Sequence, residues 1–541
     1  MKITNSAVRL LAGLVCLASQ SAASLSACGG GSGGSSGSAG VAGPAPAPAP
    51  APVPSPAGAW LTLTPSTFDL LTYEGEDVDI SVTAVSSKTF AKPLNMAIVD
   101  AVGVISTSVS VTADSAWQYR ANMRSAKTLS IGVHSTNLEV RLCEDDPAVC
   151  KTPVAGSPWF VPLKVTVRPA TNFTPLRILP QLGAWSTYQG NAAHTGYVAA
   201  SFDPGKFTRR WKSNGGSFGR VRAALATDNG VVFNVNDFSA GKVVLEAFSE
   251  DTGQAIWKVD MGSSTGLNRP AAANGKVFVA STSFTDSFFW VFNGATGALI
   301  SKTTTGPRGG WLAPTVVGVD AYTGSGASGG MMKFNTITGK KTWDVGLPPH
   351  SGSTPAVDAS HAFAYTAGSL HALDLADGRL AFKVDGPASS FISRAGRTPM
   401  LSGKQMAYVL EETGGLLGFD LASRKLAWSL KLDAPGQPAY ANDVVYVLAN
   451  GSALEARSGS TGAFLWKTNL LIGPGPEPDL EQVIVTDNLA FVTSSRRTLA
   501  IDLKTHQTVW SYALGGSMSI SDRGVLYLLS PNGDMAAINL Q

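Results

Sequence analysis

The stretch Ala247-Phe-Ser-Glu-Asp-Thr-Gly253-Gln-Ala-Ile-Trp257 decides how this chain is read. A small residue is followed six positions later by the glycine of a Thr-Gly pair, and ten positions later by Trp. The spacing returns at Lys333, Gly339 and Trp343, and again at Ala456, Gly462 and Trp466. Looser copies start at Val291 (Gly297, Ser301), Ala372 (Gly378, Phe382), Gly418 (Arg424, Trp428) and Ala500 (His506, Trp510). Trp makes up only 12 of 541 residues, so five tryptophans at one step among seven copies do not arise by chance.

Successive copies lie 44, 42, 39, 46, 38 and 44 residues apart, a period that fits four short strands and their turns. Between the copies run Val231-Val232-Phe233, Val277-Phe278-Val279, Val444-Val445-Tyr446-Val447 and Leu526-Tyr527-Leu528-Leu529. These β-branched and aromatic runs, bounded by Asn, Asp and Gly, predict inner strands buried on both faces. The Asp-Thr-Gly and Ser-Thr-Gly pieces are tight turns in which glycine supplies a positive φ. An eighth copy starts at Ala537, and the sequence ends before its Trp. Phe207-Thr208-Arg209-Arg210-Trp211 has outer-strand character and no preceding partner, so it is expected to complete the last sheet. Such a ring has no bare sheet edge where the chain ends meet. Residues 207–541 span 335 positions, about 42 for each of eight blades. The expected fold class is all-β: an eight-bladed β-propeller over 184–541, behind an N-terminal immunoglobulin-like β-sandwich.

The unit Ala-x-Asp-x-x-Thr-Gly-x-x-x-Trp resembles the repeat of the PQQ-like (pyrroloquinoline-quinone-like) propellers. That family includes quinoprotein alcohol dehydrogenases and the outer-membrane assembly lipoprotein BamB. Trp185-Ser-Thr-Tyr-Gln-Gly-Asn-Ala-Ala-His-Thr-Gly196 is similar to a stretch that opens many secreted members. The resemblance covers roughly 184–541. It implies that Trp211, Trp257, Trp343, Phe382, Trp428, Trp466 and Trp510 dock between adjacent blades, a structural task. A fold of this kind does not by itself name a function.

The N-terminal third has a different composition. Residues 1–27 read as an export signal, with Lys2 and Arg9 ahead of a short apolar core from Leu10 to Ala18, too short to span a bilayer. Leu25-Ser26-Ala27-Cys28 resembles a bacterial lipobox, with Cys28 the lipidated residue. A plain secretory signal with an incidental cysteine is the alternative. Gly29 rather than Asp after the cysteine implies the outer membrane in a Gram-negative cell. Residues 28–58 form a tether, Gly/Ser-rich and then Ala/Pro-rich, whose portion 44–57 would extend on the order of 40 Å at ~3.1 Å per residue. Alternating apolar residues at Val78, Ile80 and Val82, at Leu138, Val140 and Leu142, and from Val161 to Val167 predict half-buried antiparallel strands in 59–168. Residues 169–183, with three prolines, are expected to be a linker. Cys143 and Cys150 flank a short acidic loop beside strand-like runs, so a disulfide is expected in an exported chain.

Composition narrows the function. Lys plus Arg is 41 and Asp plus Glu is 38, for a net charge of +3, and no basic run exceeds two residues. This argues against nucleic acid and against a polybasic membrane patch, leaving membrane contact to the lipid anchor. Gly324-Ser-Gly-Ala-Ser328-Gly-Gly330 matches both a dinucleotide fingerprint and a nucleophile elbow. Both motifs need a following helix, and here strand-like Met331–Phe334 follows, so a hairpin is expected. The histidines (134, 194, 350, 361, 371, 506) show no metal-ligand spacing; a site shared by His361 and His371 is the one pairing worth weighing, and His194 is expected to pack. Quinone-dependent relatives use a disulfide of adjacent cysteines and a calcium, and residues 184–541 contain no cysteine. The expectation is therefore a non-catalytic, lipid-anchored cell-envelope protein with no cofactor. Its propeller would scaffold envelope protein partners, as in outer-membrane protein assembly, on the periplasmic side or at the cell surface. A quinone- or polysaccharide-binding surface protein is the alternative.

Overall fold

The computed structural model describes residues 60–541 apart from 89–94, 116, 147, 215–224, 239–241, 263–265, 283–286, 307–312, 325–328, 349–353, 388–397, 404, 412–413, 435, 450–451 and 471–479. The expected export signal and the whole tether with Cys28, together with His350, Gly326 and Ser328, lie outside the described residues. The chain divides into two compact units, Met1–Val167 and Arg168–Gln541.

In the first unit, eight strands form two four-stranded antiparallel sheets. They are β1 (Leu61–Thr64), β2 (Phe68–Tyr73), β3 (Asp79–Ser86), β4 (Asn95–Val99), β5 (Ile105–Ala113), β6 (Gln118–Ser125), β7 (Gly132–Cys143) and β8 (Trp159–Arg168). One sheet runs β1-β3-β6-β5, the other β2-β8-β7-β4. The period-two pattern sends Ile80, Val82, Leu138, Val140, Val161, Leu163 and Val165 into one shared core. Trp60 and Trp159 meet edge to face there, centroids 5.1 Å apart, and the Trp60 indole Nε1 donates to Ala155 O at 2.8 Å. Cys143 and Cys150 form a disulfide where β7 ends, closing the acidic loop.

The second unit is a succession of eight antiparallel sheets among the described residues. They are I (226–260), II (266–304), III (315–345), IV (356–385), V (400–431), VI (439–469), VII (480–512) and VIII (517–539 with 208–213). No α-helix occurs among the described residues, only a short 3₁₀ turn at Pro204–Lys206. The apolar runs read from the sequence are the second strand of each sheet; Leu489–Ser494 and Val525–Leu529 are buried along their whole length. Their two faces pack against different neighbours, which is why they lack polar alternation. Phe233 and Val235 face sheet II, whereas Val232 joins Val525, Tyr527 and Leu529 of sheet VIII. The same core that begins the series therefore ends it.

The ten-residue step has a geometric cause. It places the small residue of the third strand directly opposite the Trp of the fourth: Ala247↔Trp257, Gly418↔Trp428, Ala456↔Trp466 and Ala500↔Trp510 are cross-strand pairs. A side chain at Gly418 would collide with the Trp428 indole. Sheet VIII takes its fourth strand, Thr208–Ser213, from upstream, with Ala537 opposite Trp211 in the same register. All eight of these strand pairs shift register immediately after the small residue.

Residues 169–183, expected to be a linker, belong to the second unit. Ala170 O accepts from Arg209 Nε at 2.7 Å, Thr174 O from Arg210 at 2.6 Å, and Leu179 N donates to Asp522 O at 2.8 Å. Prolines keep this segment extended, and sheet VIII satisfies its backbone groups.

Candidate functional site

Four of the repeat tryptophans, Trp211, Trp257, Trp343 and Trp428, rest on the glycine of the next sheet's third-to-fourth-strand turn. Trp211 lies over Gly253, where an added Cβ would fall 2.5 Å from the ring, and Trp211 Nε1 donates to Glu250 O at 2.9 Å. Trp257 repeats this with Gly297 and Gly294 O, and Trp428 with Gly462 and Gly459 O. Trp343 does so with Gly378 and Leu375 O. The turn glycine is thus required twice, for its φ near +71° in Gly253 and Gly297 and for lack of a Cβ. Two turns substitute a planar side chain. Arg424 (φ 55°) stacks its guanidinium 4.8 Å from the Phe382 centroid, and His506 (φ 59°) stacks on Trp466 at 4.1 Å. Ser301 fills the Trp position of sheet II and meets Gly339. Trp510 is buried against Phe207 and Tyr512. These aromatics hold sheet to sheet.

The segment 185–198 forms a strap along the first strands of the sheets. These strands are short, and their middle amide points away from the sheet. Trp185 O accepts from Thr227 N, Ser186 O from Ala272 N, Ala192 O from Val357 N, Ala193 O from Leu401 N, Thr195 O from Tyr440 N and Gly196 O from Val485 N, all at 2.7–2.9 Å. The six donors stand at equivalent places in sheets I, II, IV, V, VI and VII. Sheet III is reached by Thr187 Oγ1, which donates to Pro314 O at 2.6 Å. Gln189 Nε2 donates to Pro438 O at 2.9 Å, and Gln482 Nε2 donates to Gln189 Oε1 at 2.7 Å. Gln482 Oε1 then accepts from Met518 N of sheet VIII at 2.8 Å. The strap therefore bonds directly to seven sheets and reaches sheet VIII through Gln482, and its Gln189 and His194 are buried among them.

His194 is fully buried, with Nδ1 2.5 Å from Tyr188 O and Nε2 2.9 Å from Pro355 O and 3.1 Å from Thr315 Oγ1. Burial holds the ring below the usual histidine range and outweighs the two carbonyls that favour the imidazolium. The strap's tip is Tyr188, whose ring lies 4.2 Å from the Arg269 guanidinium. Sequence reading assigned packing to His194 but missed the strap, because a run of backbone acceptors has no residue signature; the Gly-Asn-Ala-Ala-His-Thr-Gly stretch was the available signal.

Where sheets VIII and I meet, Glu250 is buried with Oε2 3.5 Å from Arg523 Nε. Burial raises its carboxyl above the usual range, against Ser521, Tyr527 and Arg523. Arg210, also buried, bridges Asp251 at 2.9 Å and the carbonyl of Thr174. The weighed His361–His371 site does not assemble. His361 pairs with Asp374 and His371 with Ala364, an odd offset of three that puts the rings on opposite faces of sheet IV. Gly324 ends one strand of sheet III and Met331 begins the next, so a hairpin connects them.

The family described as outer membrane protein assembly factor BamB matches residues 240–344 and 327–541, together more than half of the chain. The chain belongs to this family. Among solved structures, BamB from Moraxella catarrhalis is similar at 14% identity, covering 62% of this chain and 98% of that one with a TM-score of 0.48. A europium-containing methanol dehydrogenase matches at 12% identity and TM-score 0.52, over 66% of this chain and 98% of its own. Quinohemoprotein alcohol dehydrogenase from Comamonas testosteroni matches at 13% and 0.52, over 66% of this chain and 80% of its own. At such identities the two dehydrogenases show the propeller fold alone. Of curated relatives, the serine/threonine-protein kinase AfsK of Streptomyces coelicolor is 26% identical over 199 residues, 36% of this chain. The chain spans only 23% of that kinase's length.

The likeness in fold to quinone-dependent dehydrogenases prompts a fit test. Residues 168–541 hold no cysteine for a clamp over a quinone ring. Among the described residues one cluster has metal-ligating types, Cys143, Asp145 and Cys150, and both sulfurs are committed to the disulfide. A clamp of adjacent cysteines is therefore not available within residues 168–541. Among the described residues no helix is long and apolar enough to cross a membrane.

Proposed function

We propose that this chain is a lipid-anchored envelope protein with a non-catalytic, eight-bladed propeller that serves as an interaction scaffold, in the manner of outer-membrane protein assembly. One observation carries this reading: the strap bonds directly to seven sheets and reaches the eighth through Gln482, which ties their first strands together and leaves the rim loops for binding. A rigid ring whose loops are free to vary suits protein partners. Family membership supports the envelope setting, and Cys28 would supply the anchor. The first unit is read as immunoglobulin-like, supported by its orders β1-β3-β6-β5 and β2-β8-β7-β4, which follow the two-sheet pattern of such domains with one added edge strand.

The test is depletion of the protein followed by quantification of barrel proteins in the outer membrane, alongside in-cell cross-linking from the propeller rim. Reduced barrel levels and a discrete cross-linked partner are expected. Unchanged levels remove the assembly role; absence of any discrete partner removes the scaffold. The quinone alternative is checked by adding quinone and Ca²⁺ to purified protein: a visible spectrum with dye reduction would replace the scaffold by an enzyme. The polysaccharide alternative is checked by retention on cell-wall glycan, compared with and without residues 59–168.

A further inference from the structure

We propose that the turn face of sheets II and III docks onto an anionic lipid surface. Val317 (39% exposed), Val319 (47%) and Ile337 (62%) are exposed aliphatics of sheet III there, and Leu299 (56%) is exposed on the adjoining fourth strand of sheet II. Their proximity is fixed by hydrogen bonds. Thr336 N and Oγ1 both donate to Val319 O, at 2.8 and 3.0 Å, which sets Ile337 beside Val319. Thr303 Oγ1 donates to Gly339 O at 2.7 Å, which brings the strand bearing Leu299 against the Ile337 turn.

This cluster is particular to these sheets. The place of Ile337 in the other third-to-fourth-strand turns is taken by Asp251, Ala295, Ala376, Ala422, Ser460 and Lys504. The place of Gly318-Val319 is Asn229-Gly230, Asn274-Gly275, Asn442-Asp443 or Asp487-Asn488 elsewhere. Repeat packing therefore does not demand the aliphatic residues, and adjacent exposed aliphatics differ from the scattered ones normal on a surface.

Charge selects the occupant. Lys276, whose Nζ donates to Thr336 O at 3.0 Å, and exposed Lys340 border the cluster. On sheet III, Asp320 pairs with Lys333 at 2.9 Å and Asp344 with Lys341 at 2.7 Å, while Asp228 of sheet I accepts from Gly275 N beside Lys276 at 2.7 Å. Aliphatic turn tips with lysines beside them suit shallow insertion among anionic headgroups. No basic run in the sequence shows this, since the patch is gathered from three turns and one strand.

The test uses the full chain with Cys28→Ser, so that no acyl chain contributes, and follows amide hydrogen exchange at 317–319 and 335–340. Vesicles of phosphatidylcholine alone are compared with vesicles containing phosphatidylglycerol. Slowed exchange with the anionic vesicles only, reversed by high salt, is expected. Ile337→Asp should remove the protection, and Lys276→Gln and Lys340→Gln should each weaken binding roughly fivefold. Unchanged exchange of the Thr227, Val357 and Tyr440 amides shows that the variants remain folded. The proposal is overturned by exchange indifferent to vesicles, by equal protection from phosphatidylcholine, or by concentration-dependent self-association that Ile337→Asp abolishes. Either result leaves the scaffold reading standing, because that reading is judged by barrel levels and cross-links.

Discussion

Replacing Gln189 by Ala tests whether the strap binds the wheel together. Gln189 is fully buried, and it already occupies a positive φ of 59°, so the substitution leaves the backbone strain unchanged. It removes the donor to Pro438 O and the acceptor for Gln482 Nε2, at 2.9 and 2.7 Å. Each orphaned buried partner costs about 1–3 kcal/mol, and a water entering the gap recovers part of that. The expected loss is about 3 kcal/mol, read from urea unfolding followed by Trp fluorescence. Gln189→Met fills the space without the bonds and should lose nearly as much. Because the strap is one covalent segment, loosening it at Gln189 should speed exchange at the amides of Thr227, Ala272, Val357, Leu401, Tyr440 and Val485 together. A loss under about 1 kcal/mol, or faster exchange confined to Tyr440 and Val485, would refute the reasoning.

The remaining predictions use the same unfolding measurement. His194 has a folded pKa below its unfolded value near 6.5, so the folded state binds fewer protons. Stability should fall as pH drops below about 6.5, by up to about 1.4 kcal/mol per unit, and His194→Gln should flatten that slope relative to the parent. Glu250 has the opposite sign: its raised carboxyl costs stability as pH rises through the folded value, so Glu250→Gln should be the more stable protein at pH 7 and lose its advantage near pH 4. Gly253→Ala drives a Cβ into Trp211 and should cost at least about 2 kcal/mol, whereas Arg424→Ala loses only a stacked cation, about 0.5–1 kcal/mol. Replacing Cys143 and Cys150 by Ser should cost about 2–3 kcal/mol from the short closed loop, confined to the unfolding of the first unit.

The recurring Gly…Trp spacing was legible because one local geometry generates it: a tight turn followed by a cross-strand partner. The ten-residue step is the register Ala247↔Trp257, and the turn glycine is the floor for the preceding indole. Where a copy departs from the pattern, a compensating stack replaces the glycine, as with Arg424 on Phe382 and His506 on Trp466. Nothing in the linear text predicts those stacks, since each joins residues about forty positions apart. Strand alternation in the first unit was legible for a similar reason, because Ile80, Val82, Val161, Leu163 and Val165 report the two-residue period directly.

By itself, then, the sequence determined the all-β character, the repeat period and the upstream strand that joins the final sheet, because each arises from bonds between neighbours in the chain or from side-chain periodicity. Only the tertiary structure decided that 185–198 bonds to seven sheets and reaches the eighth through Gln482, that 169–183 lies on sheet VIII, that Glu250 meets Arg523, and that Val317, Val319 and Ile337 share one surface. Those features depend on main-chain donors and acceptors, or on residues from separate turns. Backbone groups are identical in every residue, so their pairing is set by where the sheets bring them and leaves no mark in the order of side chains.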